Sequence, residues 1–443
     1  MPTPNILNHT VNRRSFLRRS TAGAAGAALV SAFPHIVNAQ AAKAIRIGIV
    51  GCGGRGSGAL TDAMNADPGV VLVAMGDVAA DRLETSFKNI STAKPEQVKV
   101  EEKNKFVGLD AIDKVLATDI DIVLLTTPPG FRPAHLHKAI NAGKHVFCEK
   151  PLGVDAPAIR HALEAVKKAK EKGLAIQTGF CWRYNFAERA TWEKLHAGFI
   201  GEMRCYYGTY LTGSPWEPKP RQPEWTDLQY QMRNWLYYTW LSGDHLVEQA
   251  VHSVDKMSWA FKDVPPVRCT AIGGRQQRIE PGYGNVYDHF AVMYEFPNGG
   301  RGFIFARQQS GCSNENNDYI VGSNGTGYVA GFRPMHKLTT TDGQVWDYEK
   351  SGGEKNQMYV QEHKELIASI RAGTPVNMGE QLAHSSRLAI MGRMSAYTGR
   401  TIEWEDAINS NETWAPMNVD ELKADSKIPM PEVAMPGRYK LPA

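Results

Sequence analysis

Cysteine is scarce in this chain, with six among 443 residues: Cys52, Cys148, Cys181, Cys205, Cys269 and Cys312. None forms a CxxC pair, which excludes zinc-ribbon and thioredoxin-type chemistry. Most of the six read as buried thiols, and an oxidising compartment would still allow a disulfide. Charge of one sign is scarce too. The formal net charge is +4, and Arg13, Arg14, Arg18 and Arg19 lie together near the N-terminus. Composition therefore gives no basis for a nucleic-acid partner. No segment reaches 18 uninterrupted apolar residues, so no stable membrane insertion of the mature chain is expected. Internal repeats are absent. What remains is ordinary globular stock, 42% hydrophobic and 22% charged, long enough for two or three domains.

Residues 12–18, "NRRSFLR", resemble a twin-arginine export signal. An Ala- and Gly-rich apolar run follows from Ser20 to Phe33, with cleavage sites after Ala39 or Ala41. Residues 1–41 are thus expected to be a signal peptide, with the twin-arginine machinery as a partner and a periplasmic or otherwise exported location. The competing reading is an amphipathic or unstructured arm.

"IRIGIVGCGGRG" follows at 45–56. Ile45 to Val50 is a short apolar, β-branched run, as a buried parallel strand requires. Gly51, Gly53 and Gly56 then form GxGxxG, with Gly54 and Arg55 between them. The first glycine permits the tight turn, the second a close backbone approach to a pyrophosphate, the third close helix–strand packing. Helix N-terminal N–H groups would hold the phosphates. A second apolar run, "VVLVAMGD", ends in Asp77, which follows Gly56 by 21 residues. That carboxylate suits ribose hydroxyls and repels a 2′-phosphate, so NAD is expected over NADP. Arg82 or Arg55 could reverse this by pairing with a phosphate.

A third apolar strand, Ile120 to Leu125, leads to Thr127 and Pro128, both placed beside the dinucleotide. A helix from about Pro133 to Ala142 and a strand His145 to Cys148 come next, then Glu149-Lys150-Pro151. This alternation predicts a doubly wound parallel sheet with its ligand at the strand carboxyl ends. The glycine turn joined to "CEKP" resembles the Gfo/Idh/MocA family of sugar and polyol oxidoreductases, over about residues 44–405. The resemblance implies an α/β chain: an N-terminal Rossmann domain at 42–165, then a C-terminal α/β domain at 166–410 with an open, mostly antiparallel sheet, before a Pro-rich tail at 411–443. It implies that Lys150 lies between nicotinamide and substrate, with Glu149 beside the cofactor and Pro151 often cis. Physically, a partly desolvated lysine there stabilises an alkoxide as hydride leaves carbon.

"TGFCWRYN" resembles the family's entry into the second domain, making Arg183, Tyr184 and Asn185 substrate-pocket candidates. An interdomain core role for Trp182 and Tyr184 is the alternative. In "SGDHLVEQAVHSVDK", a single helix started by Asp244 would place Asp244, Glu248 and His252 on one face. His252 is the candidate general base. Glu248 stands where the family pattern has Asp. Asp255 could orient the imidazole, and His245 could face the cleft. The alternatives are a structural network or a divalent metal on these side chains; no metal is expected.

Strand-rich stretches follow, with a hairpin turn at residues 297–300, then helical patterns from about Val360 to Gly399. Trp216, Trp225, Tyr230, Trp235, Tyr237, Tyr238 and Trp240 crowd the segment between, suited to stacking on sugar rings or to plain core. The expected function is an exported, NAD-dependent oxidoreductase holding its nicotinamide tightly and acting on a sugar, polyol or sugar derivative, as a homo-oligomer. A redox-neutral NAD-dependent glycoside hydrolase or lyase is the alternative, and a non-catalytic carbohydrate-binding protein a further one.

Overall fold

Six short apolar runs pair in parallel to build the first sheet. The computed structural model describes residues 44–352, 354, 357–414 and 418–442; the expected signal peptide lies outside the described residues. The strands are β1 (Ile45–Val50), β2 (Val70–Asp77), β3 (Lys105–Val107), β4 (Ile122–Leu125), β5 (His145–Cys148) and β6 (Ile176–Thr178), in the order β3-β2-β1-β4-β5-β6. All four residues of β4 are buried, because helices cover both faces; that is why these strands read as unbroken apolar runs. The order reverses between β1 and β4, which opens a crevice at their carboxyl ends.

The second sheet has nine strands: β7 (Met203–Thr212), β8 (Arg268–Gly274), β9 (His289–Glu295), β10 (Arg301–Gln308), β11 (Asn317–Gly322), β12 (Gly325–Ala330), β13 (His336–Thr340), β14 (Val345–Asp347) and β15 (Ile402–Glu403). Their order is β14-β13-β12-β11-β7-β10-β9-β8-β15, antiparallel throughout except where β10 meets β7. The expected turn at 297–300 joins β9 to β10. In β10, buried and half-buried residues alternate strictly, the signature of a sheet with one covered and one open face. Helices Val251–Ala260 and Gly379–Thr398 cover the inner face, where Val254, Met257 and Leu388 join Val292 and Ile304 in one core. The outer face carries Tyr207, Phe305, Tyr319 and Tyr328 in mutual ring contact.

The division at 165 and 166 does not survive. It falls inside helix Ala156–Glu171, and β6 beyond it still pairs with β5. The chain also returns to the first half: helix Met358–Arg371 puts Leu366 and Ile367 into the core with Ile47, Leu60 and Leu72. Domain limits follow strand pairing and burial rather than motif ends, which is why the sequence placed this one too early. The tail packs on its own chain, burying Leu422, Ile428 and Ala434. Four of the six cysteines are buried, and all six are free thiols.

Because Leu366 arrives from the far end of the chain, it tests whether the two halves unfold together. Leu366→Ala should destabilise the protein by about 2–5 kcal/mol. Urea melts followed by tryptophan fluorescence and by far-UV dichroism should shift together; separate transitions would show that the C-terminal helix does not couple the halves.

Candidate active site

The glycine turn is built by two backbone close approaches. Gly51 has φ +99°, and a Cβ there would meet the Thr126 carbonyl carbon and the Thr127 nitrogen at 2.7 Å. A Cβ on Gly56 would overlap the Gly51 carbonyl oxygen, so only glycine lets helix Gly54–Ala66 seat against β1. Gly53 and Gly54 have open space beside them. The result is a helix N-terminus with no side chain in front of its donors, which is what a phosphate needs. Asp77, at the end of β2, accepts from the Cys52 and Ala79 amides at 2.6 and 2.8 Å. Burial raises its carboxyl above the usual range, against those two hydrogen bonds.

A cleft of about 1270 Å³ runs along the carboxyl edge of the first sheet. Gly51, Gly53, Gly54, Arg55, Gly56, Asp77, Thr127, Pro128, Glu149 and Lys150 all line it, and so do Glu248 and His252 from the second half. The Lys150–Pro151 bond is cis. Lys150 Nζ donates to the Glu248 carbonyl oxygen at 2.5 Å and to its carboxylate at 3.2 Å. Arg55 pairs with Glu149 and reaches Glu362 at 3.5 Å. Burial pushes the Glu149 carboxyl up, but Arg55, Lys150 and Arg132 together hold it below the usual range. Glu362, where burial outweighs Arg55, is pushed well above it.

His252 is half-buried, edge-on to Phe180 with centroids 6.0 Å apart. Its Nδ1 is shielded from solvent and has no hydrogen-bond partner among the described residues. Burial holds its pKa well below 6.5, and the Lys150, Lys256 and Arg55 cations lower it further. The imidazole is therefore neutral near pH 7, ready to accept a proton.

Five expected substrate contacts lie away from the cleft. The single helix through 244, 248 and 252 is broken: a four-residue helix, His245–Glu248, ends at Gln249, and a second begins at Val251. Asp244, at φ +75° ahead of the short helix, and His245 are both fully buried. Asp244 accepts from the Tyr287 amide and the Tyr397 hydroxyl, and His245 packs on Phe290 with Nδ1 near the Tyr287 carbonyl. Asp255 does not orient His252; it holds the Arg183 guanidinium at 3.0 Å and accepts from Ser385. Arg183 also grips Asp263. Tyr184 donates to Gln177, and Asn185 caps helix Phe186–His196. The "WRYN" stretch is interdomain structure, because buried polar groups there found partners inside the protein.

Other lining residues carried little sequence signal. Arg132 sits behind Lys150, donating to the Pro151 carbonyl at 2.6 Å. Burial lowers the pKa of His135 to about 3, and its Nδ1 lies 3.2 Å from Thr127 Oγ1. Trp216, Lys219, Trp225 and Arg233 line the cleft from the aromatic segment, and Val419, Asp420, Leu422, Lys423 and Ala424 line it from the tail. Arg233 is anchored across the cleft by Asp81 at 2.8 and 2.9 Å. The aromatic density at 216–240 was the one hint of this wall.

Residues 45–180 match the oxidoreductase family with an NAD-binding Rossmann fold, and residues 189–327 match the GFO/IDH/MocA C-terminal domain. The chain is 27% identical over 195 residues to 2,7-anhydro-N-acetylneuraminate hydratase of Escherichia coli, covering 44% of this chain and 47% of that protein. It is 27% identical over 257 residues to inositol 2-dehydrogenase 3 of Saccharopolyspora erythraea, covering 58% and 64% respectively. The matches thus span about half to two thirds of those relatives. The fold resembles that of an aldose-aldose oxidoreductase from Caulobacter crescentus, with a TM-score of 0.64 at 18% identity over 82% of this chain and 100% of that one. With both of its halves matched in chain order, and with the glycine turn and Lys150 facing one cleft, the chain belongs to the Gfo/Idh/MocA family of oxidoreductases.

Proposed function

We propose that this protein oxidises a secondary hydroxyl of a sugar or polyol with a tightly held NAD. The observation that carries the reading is the meeting of Lys150, Glu248 and His252 on the wall of the cleft that begins at the glycine turn. The residues fit a dinucleotide: a bare helix N-terminus for the pyrophosphate, and Asp77 on the cleft wall at the end of the neighbouring strand for an adenosine ribose. Bound there, the nicotinamide would supply the hydride acceptor. The protein's own groups handle the hydroxyl. His252 accepts its proton, and the Lys150 ammonium lowers the energy of the oxygen anion. Glu248 fixes Lys150 and takes up part of its charge. Arg132 and Arg55 hold Pro151 and Glu149, so the lysine-bearing segment is clamped from behind.

The wall formed by residues 216–233 and 419–424 supports tight retention of the cofactor, because a dinucleotide would be covered from the side opposite the sheet. Retention is also what export would require, and we read residues 1–41 as the export signal. The open aromatic face of the nine-stranded sheet favours a homo-oligomer. The hydratase among the relatives favours one second reading, in which oxidation is transient and the net reaction is redox-neutral.

Denaturing the purified full chain should release about one NAD or NADH per chain, identified by mass; NADP instead would overturn the role given to Asp77. Lys150→Met should lower kcat/KM for the best polyol or aldose by about 10²–10⁴-fold while the released nucleotide stays the same. Unchanged turnover would remove Lys150 from the chemistry.

The pH profile tests the base. His252 has a depressed pKa, so its neutral form persists below 6.5 and is lost only as pH falls further. The acid limb of kcat/KM should lie below pH 6.5 and disappear in His252→Asn, with residual activity flat on that side. A limb that survives the substitution would assign the proton to another group.

A further inference from the structure

We propose that His137, His161 and Glu164 form a binding site for a divalent transition-metal ion of the zinc class on the outside of the nucleotide-binding half. His137 stands on helix Arg132–Asn141, and His161 and Glu164 stand three residues apart on helix Ala156–Glu171. Glu164 Oε2 lies 3.7 Å from His137 Nε2 and 3.7 Å from His161 Nδ1. All three ligand atoms fall within 4.8 Å of one another. Tetrahedral bonds of about 2.1 Å place ligand atoms about 3.4 Å apart, so the two carboxylate distances are already close to the requirement. Turning one imidazole out of the stack brings the third distance in.

A second observation points the same way. His137 Nε2 is shielded from solvent and, with Glu164 at 3.7 Å, has no partner within hydrogen-bond distance among the described residues. The two imidazoles stack with centroids 4.2 Å apart and planes 3° apart, both beside the same carboxylate, so a ring must turn to bring both in-plane lone pairs onto one ion. Two imidazoles and one carboxylate suit Zn²⁺, Ni²⁺ or Cu²⁺ and do not suit Mg²⁺ or Ca²⁺. With three protein ligands, the fourth position is left to water.

The site is separate from the cleft, since none of the three residues lines it. Its place in the fold gives it a consequence. The two helices bracket residues 142–155, which include β5, Glu149 and Lys150. An ion joining them would tie the two ends of the lysine-bearing segment from outside.

The test uses the full chain, stripped with a chelator and titrated with zinc chloride by calorimetry, with thermal melts in parallel. One equivalent per chain is expected, and Tm should rise with zinc concentration. His161→Ala and Glu164→Gln should each weaken binding by roughly tenfold or more and abolish the rise in Tm. His161 and Glu164 side chains are 49% and 71% exposed, so both variants should fold. Absence of zinc binding, or the parent affinity retained in both variants, would show that the stacked histidines are packing alone and overturn the proposal.

Discussion

The contact on which the cleft depends is the hydrogen bonding of Lys150 to Glu248, through the carbonyl oxygen at 2.5 Å and the carboxylate at 3.2 Å. It joins the carboxyl end of the parallel sheet to the helical layer of the antiparallel one. Both side chains are only 11% exposed. Desolvating two charges is costly unless geometry and extra hydrogen bonds compensate. Here the carbonyl supplies the extra acceptor, so the ammonium does not rely on the carboxylate alone. The broken helix makes this possible: by ending at Glu248, the chain turns both of that residue's acceptors toward Lys150, and it restarts at Val251 in time to bring His252 onto the same wall.

The same economy governs the charges behind it. Glu149, nearly fully buried, is held by Arg55, which also faces Glu362. Arg55 comes from the glycine turn, Glu149 from the end of β5, and Glu362 from a helix near the far end of the chain. Nucleotide-binding turn, lysine segment and C-terminal helix are therefore fastened to one another by a single guanidinium, which can serve several acceptors at fixed angles. Leu366 and Ile367 supply the apolar part of the same fastening.

Much of the first half was legible because its signals are local. An apolar run, three glycines and a distant acid specify a strand, a turn and a carboxylate at the end of the neighbouring strand with no information from elsewhere in the chain. The second sheet was legible as a class through alternation, but its strand order was not, since β7 pairs in parallel with β10 across a long insertion. The site divided along the same line. Lys150 and Glu149 follow directly from the end of β5, and they reach the cleft. Arg183, Tyr184 and Asn185 were assigned from the family resemblance, and His245 and Asp255 from their spacing to Asp244 and His252; polar side chains of that kind serve buried structure as readily as a pocket. Helical spacing misled at Asp244, because periodicity does not reveal a break between two short helices. Arg132, His135 and Tyr359 reach the cleft only through tertiary packing, so no local pattern announces them.

The wall over the cleft is the part of the structure that departs furthest from what a dinucleotide fold needs. Binding at a sheet edge requires only the turn and the strand ends; nothing in that chemistry calls for residues 216–233 or 419–424. These segments are nevertheless built with care. Thr226 and Gln229 form a reciprocal cap on helix Asp227–Arg233, Trp225 lies under the Arg233 guanidinium, and Gln231 fastens to the carbonyls of Ile428 and Pro429 in the tail. Arg233 then crosses to Asp81, just beyond the acid that ends β2. A wall secured at both its insertion and its tail, and latched beside the end of β2, raises the cost of opening. For an enzyme that exchanges its cofactor at every turnover that cost is a handicap. For one that carries its cofactor through the whole catalytic cycle it is an advantage, because each kcal/mol added to opening slows loss of the nucleotide about fivefold without touching the groups that meet the substrate.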